Sequence, residues 1–106
     1  MKKTGIILGS GLDKFSKELK NASILYEDRV GIHYKRIIRG NIGNSEVIIF
    51  QGRNHFYETS LKNKIYFNVN YAKELGIELL IITNAAGGVN ENFRVSDLML
   101  ITSQIN

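Results

Sequence analysis

The sequence predicts an α/β fold, a mixed central β-sheet flanked by helices. Strand-like apolar runs alternate with segments of helical periodicity. One run, 77–83, is apolar almost throughout, the pattern of a strand covered on both faces of a parallel or mixed sheet. Loops rich in small or polar residues leave the ends of strand-like runs, where open α/β sheets place ligands.

In chain order, Thr4-Gly5-Ile6-Ile7-Leu8 reads as a short buried strand ending at Gly9-Ser10-Gly11. Residues 12–19 read as a helix, with Leu12, Phe15 and Leu19 spaced for one face. Two strand-like runs follow, 33–39 and 46–50, separated by a hairpin turn over Gly40-Asn41-Ile42-Gly43-Asn44. Over 61–75, Leu61, Ile65, Val69 and Ala72 recur at helical spacing, and Gly76 is placed to end the helix. Residues 77–83 form the apolar strand, and 98–102 begin another.

At 106 residues, 43% apolar and 23% charged, the chain is one ordinary globular domain at most. There is no Cys, which excludes disulfides and thiolate metal sites and suits a reducing cytoplasm. No apolar stretch reaches membrane-spanning length, and the start reads as a strand and not as a signal segment, so no membrane partner is expected. The formal charge of +4 favours anionic partners, but the basic residues are scattered, so nucleic acid is not expected. No His, Asp or Glu cluster has metal-ligand spacing, so no metal is expected. Proline is absent; no repeat or linker interrupts the chain.

Three loops carry the chemistry. In Gly9-Ser10-Gly11, small residues let backbone amides approach an anion and Ser10 adds a hydroxyl, with a helix N-terminus behind it; a plain strand-to-helix turn is the other reading. In Gly52-Arg53-Asn54-His55-Phe56-Tyr57-Glu58, an extended backbone puts Arg53, His55 and Tyr57 on one side, able to clamp an anion; an exposed strand carrying the same residues is the alternative. In Thr83-Asn84-Ala85-Ala86-Gly87-Gly88-Val89-Asn90, four small residues leave room for a flat ligand and expose amide donors; the alternative is a flexible turn. His33 reads as an edge histidine, Glu91 as a loop acid and Asp97 as a strand-start cap.

These segments, in this order, resemble the trimeric family of purine nucleoside phosphorylases. Gly5-Ile6-Ile7-Leu8-Gly9-Ser10-Gly11-Leu12, the two segments from Gly52 and Thr83, and Asp97-Leu98-Met99-Leu100-Ile101 carry the resemblance, which covers essentially the whole chain, 1–106. It implies the family's phosphorylase/hydrolase-like fold and phosphorolysis of purine (deoxy)ribonucleosides to free base and (deoxy)ribose 1-phosphate. That is a glycosyltransferase activity of nucleoside metabolism and purine salvage. Inorganic phosphate is the co-substrate, no cofactor or metal is needed, and the expected assembly is a cytoplasmic homotrimer. Position by position, the resemblance implies that Ser10, Arg53, His55 and Ala85 hold phosphate, with Arg53 and His55 in the catalytic role. Tyr57 lies against the ribose, and Ala86 and Gly87 lie beneath the purine. Glu58 reads as orienting Arg53 or His55 from behind, a simple surface carboxylate being the other reading, and Asn84 as supporting the same groups.

Departures from the family pattern narrow the expectation. Thr59 follows the Tyr-Glu pair where Gly is usual, and Ser103-Gln104-Ile105-Asn106 replaces the usual Asp-His-Ile-Asn. The family's purine-binding carboxylate and amide, a further phosphate serine and most ribose contacts have no counterpart here. The resemblance is therefore to the amino-terminal part of a single phosphorylase domain. The expectations are a truncated purine nucleoside phosphorylase or, alternatively, an inactive remnant or phosphate-binding module. A closer alternative is a methylthioadenosine phosphorylase relative. Either way, 77–83 or 98–102 would be left as an apolar sheet edge open to association.

Overall fold

The computed structural model describes residues 1–30, 34–52 and 65–105. Its elements are β1 (Thr4–Leu8), a 3-10 helix (Asp13–Glu18), β2 (Lys20–Asp28), β3 (Lys35–Ile42), β4 (Ser45–Gln51), α1 (Phe67–Glu74) and β5 (Leu79–Ile82). The strands form one mixed sheet in the order β2-β3-β4-β1-β5. β2, β3 and β4 run antiparallel, whereas β1 pairs in parallel with both β4 and β5.

The sheet has a core on each face because its central strands alternate apolar residues in both directions. On one face, Ile7, Ile37, Ile48 and Phe50 pack with Ala72 of α1, and Tyr26, Phe67, Tyr71 and Leu75 close around them. On the other, Leu8, Ile38, Val47 and Ile49 pack with Leu19, just after the 3-10 helix. The register Ile6↔Ile49 and Ile7↔Phe50 keeps each pair on its own face. β3 and β4 are joined through the two-residue turn Gly43-Asn44, with Gly43 at φ 58 as a type II′ hairpin requires.

Helix α1 ends as expected. Gly76 has φ 68; its amide donates to Lys73 O at 3.0 Å, and Ile77 N donates to Ala72 O at 3.0 Å, the paired bonds of a Schellman motif. The Lys3 ammonium donates to Leu75 O, placing a cation at the helix's negative end. The buried side is set by Phe67, Tyr71, Ala72 and Leu75 and not by Val69, which is 48% exposed. The first residues of the expected helix, 61–64, lie outside the described residues, as does His33.

Five expectations are corrected, and one strand was not foreseen. The turn expected over Gly40-Asn41-Ile42-Gly43-Asn44 is confined to Gly43-Asn44, because Gly40, Asn41 and Ile42 pair with β4 as the end of β3. Residues 12–19 form a 3-10 helix, not an α-helix; its three-residue pitch turns Ser16 inward ahead of Leu19 and leaves Leu12 and Phe15 exposed. β2 is a strand that the sequence did not signal, since register shifts between Lys20/Ser23 and Ile24/Tyr26 destroy its period-two alternation. β5 lies at the edge of the sheet, as one of the two apolar runs was expected to, but it is not buried on both faces: Leu79, Ile81 and Ile82 are exposed. Residues 98–102 form no strand, and Leu98 and Leu100 are exposed to solvent. Asp97 accordingly caps no strand; its carboxylate accepts from the Arg94 amide at 2.8 Å.

Candidate active site

The parallel strands β4, β1 and β5 are neighbours, and their C-terminal ends lie in register, Leu8 beside Gln51 and Ile7 beside Ile82. The loops from Gly9, Gly52 and Thr83 therefore leave the same edge of the sheet. Each of these loops begins one of the three segments to which the sequence assigned chemistry.

Two of these loops are in direct contact. The buried Gly9 amide donates to Thr83 Oγ1 at 3.0 Å, and that hydroxyl donates to Ile7 O at 2.9 Å. Thr83 N also donates to Ile7 O at 3.0 Å, extending the β1–β5 pairing by one residue. A Cβ on Gly9 would lie 2.5 Å from Thr83 O and 2.8 Å from the Asn84 Cα, so only glycine permits this approach. Ser10 sits exposed at the turn, and Leu12 N returns to Gly9 O at 3.2 Å. A six-residue 3-10 helix with Asp13 in its first turn follows. The positive helix end expected behind Ser10 is therefore weak.

The second loop is anchored where it leaves β4. Gly52 has φ 80, a Cβ there would meet Tyr34 O at 2.5 Å, and its carbonyl accepts from Asn68 Nδ2 of α1 at 3.0 Å. Arg53, His55, Tyr57 and Glu58 lie outside the described residues. Asn84, Ala85, Ala86 and Gly87 are exposed just beyond Thr83, and no atom of the described residues fills the space a Gly87 Cβ would take. The amides from Asn84 to Val89 make no hydrogen bond to another described residue. The structure thus brings Ser10 and 84–87 to one edge through the Gly9–Thr83 contact. Sequence reading assigned no role to Thr83. Its signal was a single hydroxyl at the end of an apolar run, where it can satisfy the next strand's loop.

Among the described residues no group of three or more His, Asp or Glu could hold a metal ion, and no helix is long and apolar enough to cross a membrane. A shallow depression beside Lys2, Thr4, Ser45 and Glu46 lies at the other end of the sheet, remote from these loops.

Comparison with known proteins assigns the family. The sequence model of the Phosphorylase superfamily matches residues 3–106. The chain belongs to the Phosphorylase superfamily. It is 46% identical over 112 aligned positions to purine nucleoside phosphorylase 1 of Bacillus subtilis, covering 98% of this chain and 41% of that protein. It is 38% identical to purine nucleoside phosphorylase of Mus musculus, covering 95% of this chain and 38% of the relative. Its fold matches Schistosoma mansoni purine nucleoside phosphorylase in complex with inosine, with TM-score 0.70 and 30% identity over 91% of this chain and 36% of that one. The chain thus resembles the amino-terminal portion of these phosphorylases and spans about two fifths of their length. Its mixed sheet is a partial version of their fold.

Proposed function

We propose that this chain carries the phosphate-holding part of a purine nucleoside phosphorylase. The observation that carries the reading is the shared edge: the Gly9-Ser10-Gly11 loop, the start of the Gly52-Arg53 loop and the 84–87 backbone leave three adjacent parallel strands at the same end. In this reading phosphate is held by Ser10 Oγ, the amide at Ala85, and the side chains of Arg53 and His55. Arg53 offers a planar pair of donors matched to two phosphate oxygens, and His55 a third. Tyr57 lies against the ribose, Ala86 and Gly87 beneath the purine, and Glu58 and Asn84 orient their neighbours.

Phosphorolysis breaks the glycosidic bond as a phosphate oxygen bonds to the anomeric carbon, and the base leaves with the bond's electron pair and takes up a proton. Positive charge develops on the sugar on the way. An anion fixed beneath it stabilises that state, so the chain's contribution is positioning and electrostatics. The substrate is a purine (deoxy)ribonucleoside with inorganic phosphate as co-substrate; no cofactor takes part, and the assembly is a homotrimer in the cytoplasm.

A second reading is a phosphate-binding module without turnover, which the shared edge of Ser10 and 84–87 would serve equally well. Incubating the purified chain with inosine and phosphate and measuring hypoxanthine release separates the two. Release abolished by Arg53→Ala supports the enzyme. Calorimetric phosphate binding that depends on Ser10 and Arg53, without release, supports the module. No binding at all defeats both. Methylthioadenosine in place of inosine tests the closer relative.

A further inference from the structure

Arg36 stands opposite Gln51 in the β3–β4 register, and its half-buried side chain joins three elements near the candidate site. Nε donates to Gln51 Oε1 at 2.8 Å. Nη2 donates to Ser16 Oγ at 3.4 Å, and that buried hydroxyl donates to Asp13 O at 2.8 Å. The guanidinium carbon lies 5.8 Å from the centre of the Tyr34 ring, and the Tyr34 carbonyl is the atom against which Gly52 packs. Gln51 is the last residue of β4, two positions before Arg53, and Ser16 lies in the 3-10 helix entered from Gly9-Ser10-Gly11.

We propose that Arg36 is a positioning residue. Through Gln51, Ser16 and Tyr34 it fixes the path of the chain leaving β4 relative to the segment that follows Ser10. The three contacts use the planar fork and flat face of a guanidinium together; an ammonium at the same place makes one of them at a time. The placement is independent of what the two loops bind, while its effect on phosphate rests on the function proposed above.

The test compares the full chain with Arg36→Lys, Arg36→Met and, as a variant that keeps the cation, Gln51→Met. Residue-resolved amide exchange is expected to accelerate about tenfold or more at Leu12, Phe15 and Leu19, as loss of a charged hydrogen bond allows, while Ile48 and Ile49 stay protected. The same variants weaken inorganic phosphate binding. Arg39→Met, which removes the exposed Arg39–Glu46 pair (3.2 Å) toward the hairpin, leaves binding unchanged. Unchanged exchange at Leu12, Phe15 and Leu19, or equal acceleration at Ile48 and Ile49, overturns the assignment. If the unaltered chain binds no phosphate, the phosphate reading falls, and the exchange pattern alone decides the role of Arg36.

Discussion

The Gly9 amide and the Thr83 hydroxyl are 3.0 Å apart, and through them the first loop of the candidate site is tied to the third. The hydroxyl accepts from Gly9 and donates to Ile7 O, so one side-chain oxygen satisfies two backbone groups at a buried strand end. Thr83→Val keeps the shape and removes both bonds. It is expected to cost about 1–3 kcal/mol in urea unfolding, the penalty for leaving a buried donor unmade. Thr83→Ser restores most of that loss. Phosphate binding by calorimetry should fall with Val and recover with Ser, because Ser10 and Ala85 are then held in register again.

Gly52 and Gly43 both have positive φ, 80 and 58, but different surroundings. Among the described residues nothing lies within 4 Å of a Cβ built on Gly43, whereas one on Gly52 would lie 2.5 Å from the Tyr34 carbonyl. Gly43→Ala should cost about 1–2 kcal/mol, the left-handed backbone penalty alone. Gly52→Ala should cost more, since displacing β3 backbone adds about 1–3 kcal/mol of overpacking. Denaturant midpoints of the two variants measure the difference. Equal midpoints would show that the Gly52–Tyr34 contact relaxes freely.

Tyr26 packs its ring against Phe67 at 4.9 Å and Tyr71 at 6.0 Å. Burial first, then the Asp28 carboxylate and Tyr71, push its phenol above the ordinary value. The native state therefore keeps this proton to higher pH than the unfolded chain does. The contribution is fully present below about pH 10, the unfolded value, and is lost as pH rises through the native value. Urea midpoints should fall above about pH 10 and fall less steeply in Tyr26→Phe. Superimposable pH profiles for the two proteins would refute the assignment to Tyr26.

How much of this was legible follows from how each element is covered. β1, the β3–β4 hairpin and the end of α1 were readable because their local signals match what tertiary structure asks of them. Alternating Val47-Ile48-Ile49-Phe50 meets a core on each face, and Gly76 meets a helix that must stop. β2 was hidden by its irregular register and by Asn21 at φ 53. The apolar run 77–83 read as a buried strand, and 98–102 as the beginning of another, because composition records what a segment tends to pack against. Among the described residues Leu98 is left fully exposed and Ile82 61% exposed. The small residues at Ser10 and 84–87 singled out two loops that the structure brings to one end of the sheet, but the Thr83 hydroxyl joining them was not legible, since one threonine has no periodicity to reveal it.

The outer edge of β5 pairs with no described residue, and its side chains are apolar, with Ile82 61% exposed. Such an edge offers free amides and carbonyls beside an apolar strip, the combination that templates pairing with another chain. The chain should self-associate in a concentration-dependent way, and Ile82→Lys should shift it toward monomer. A lysine there repels its counterpart on an approaching copy, while its own side chain stays in water and disturbs little of the core. Size-exclusion chromatography with light scattering reads the mass directly, and denaturant unfolding checks that the fold is retained. A mass distribution identical to that of the unaltered chain would mean that association, if it occurs, uses another surface. The control is Val30→Lys, a 96% exposed position beyond the end of β2, which should leave the mass unchanged.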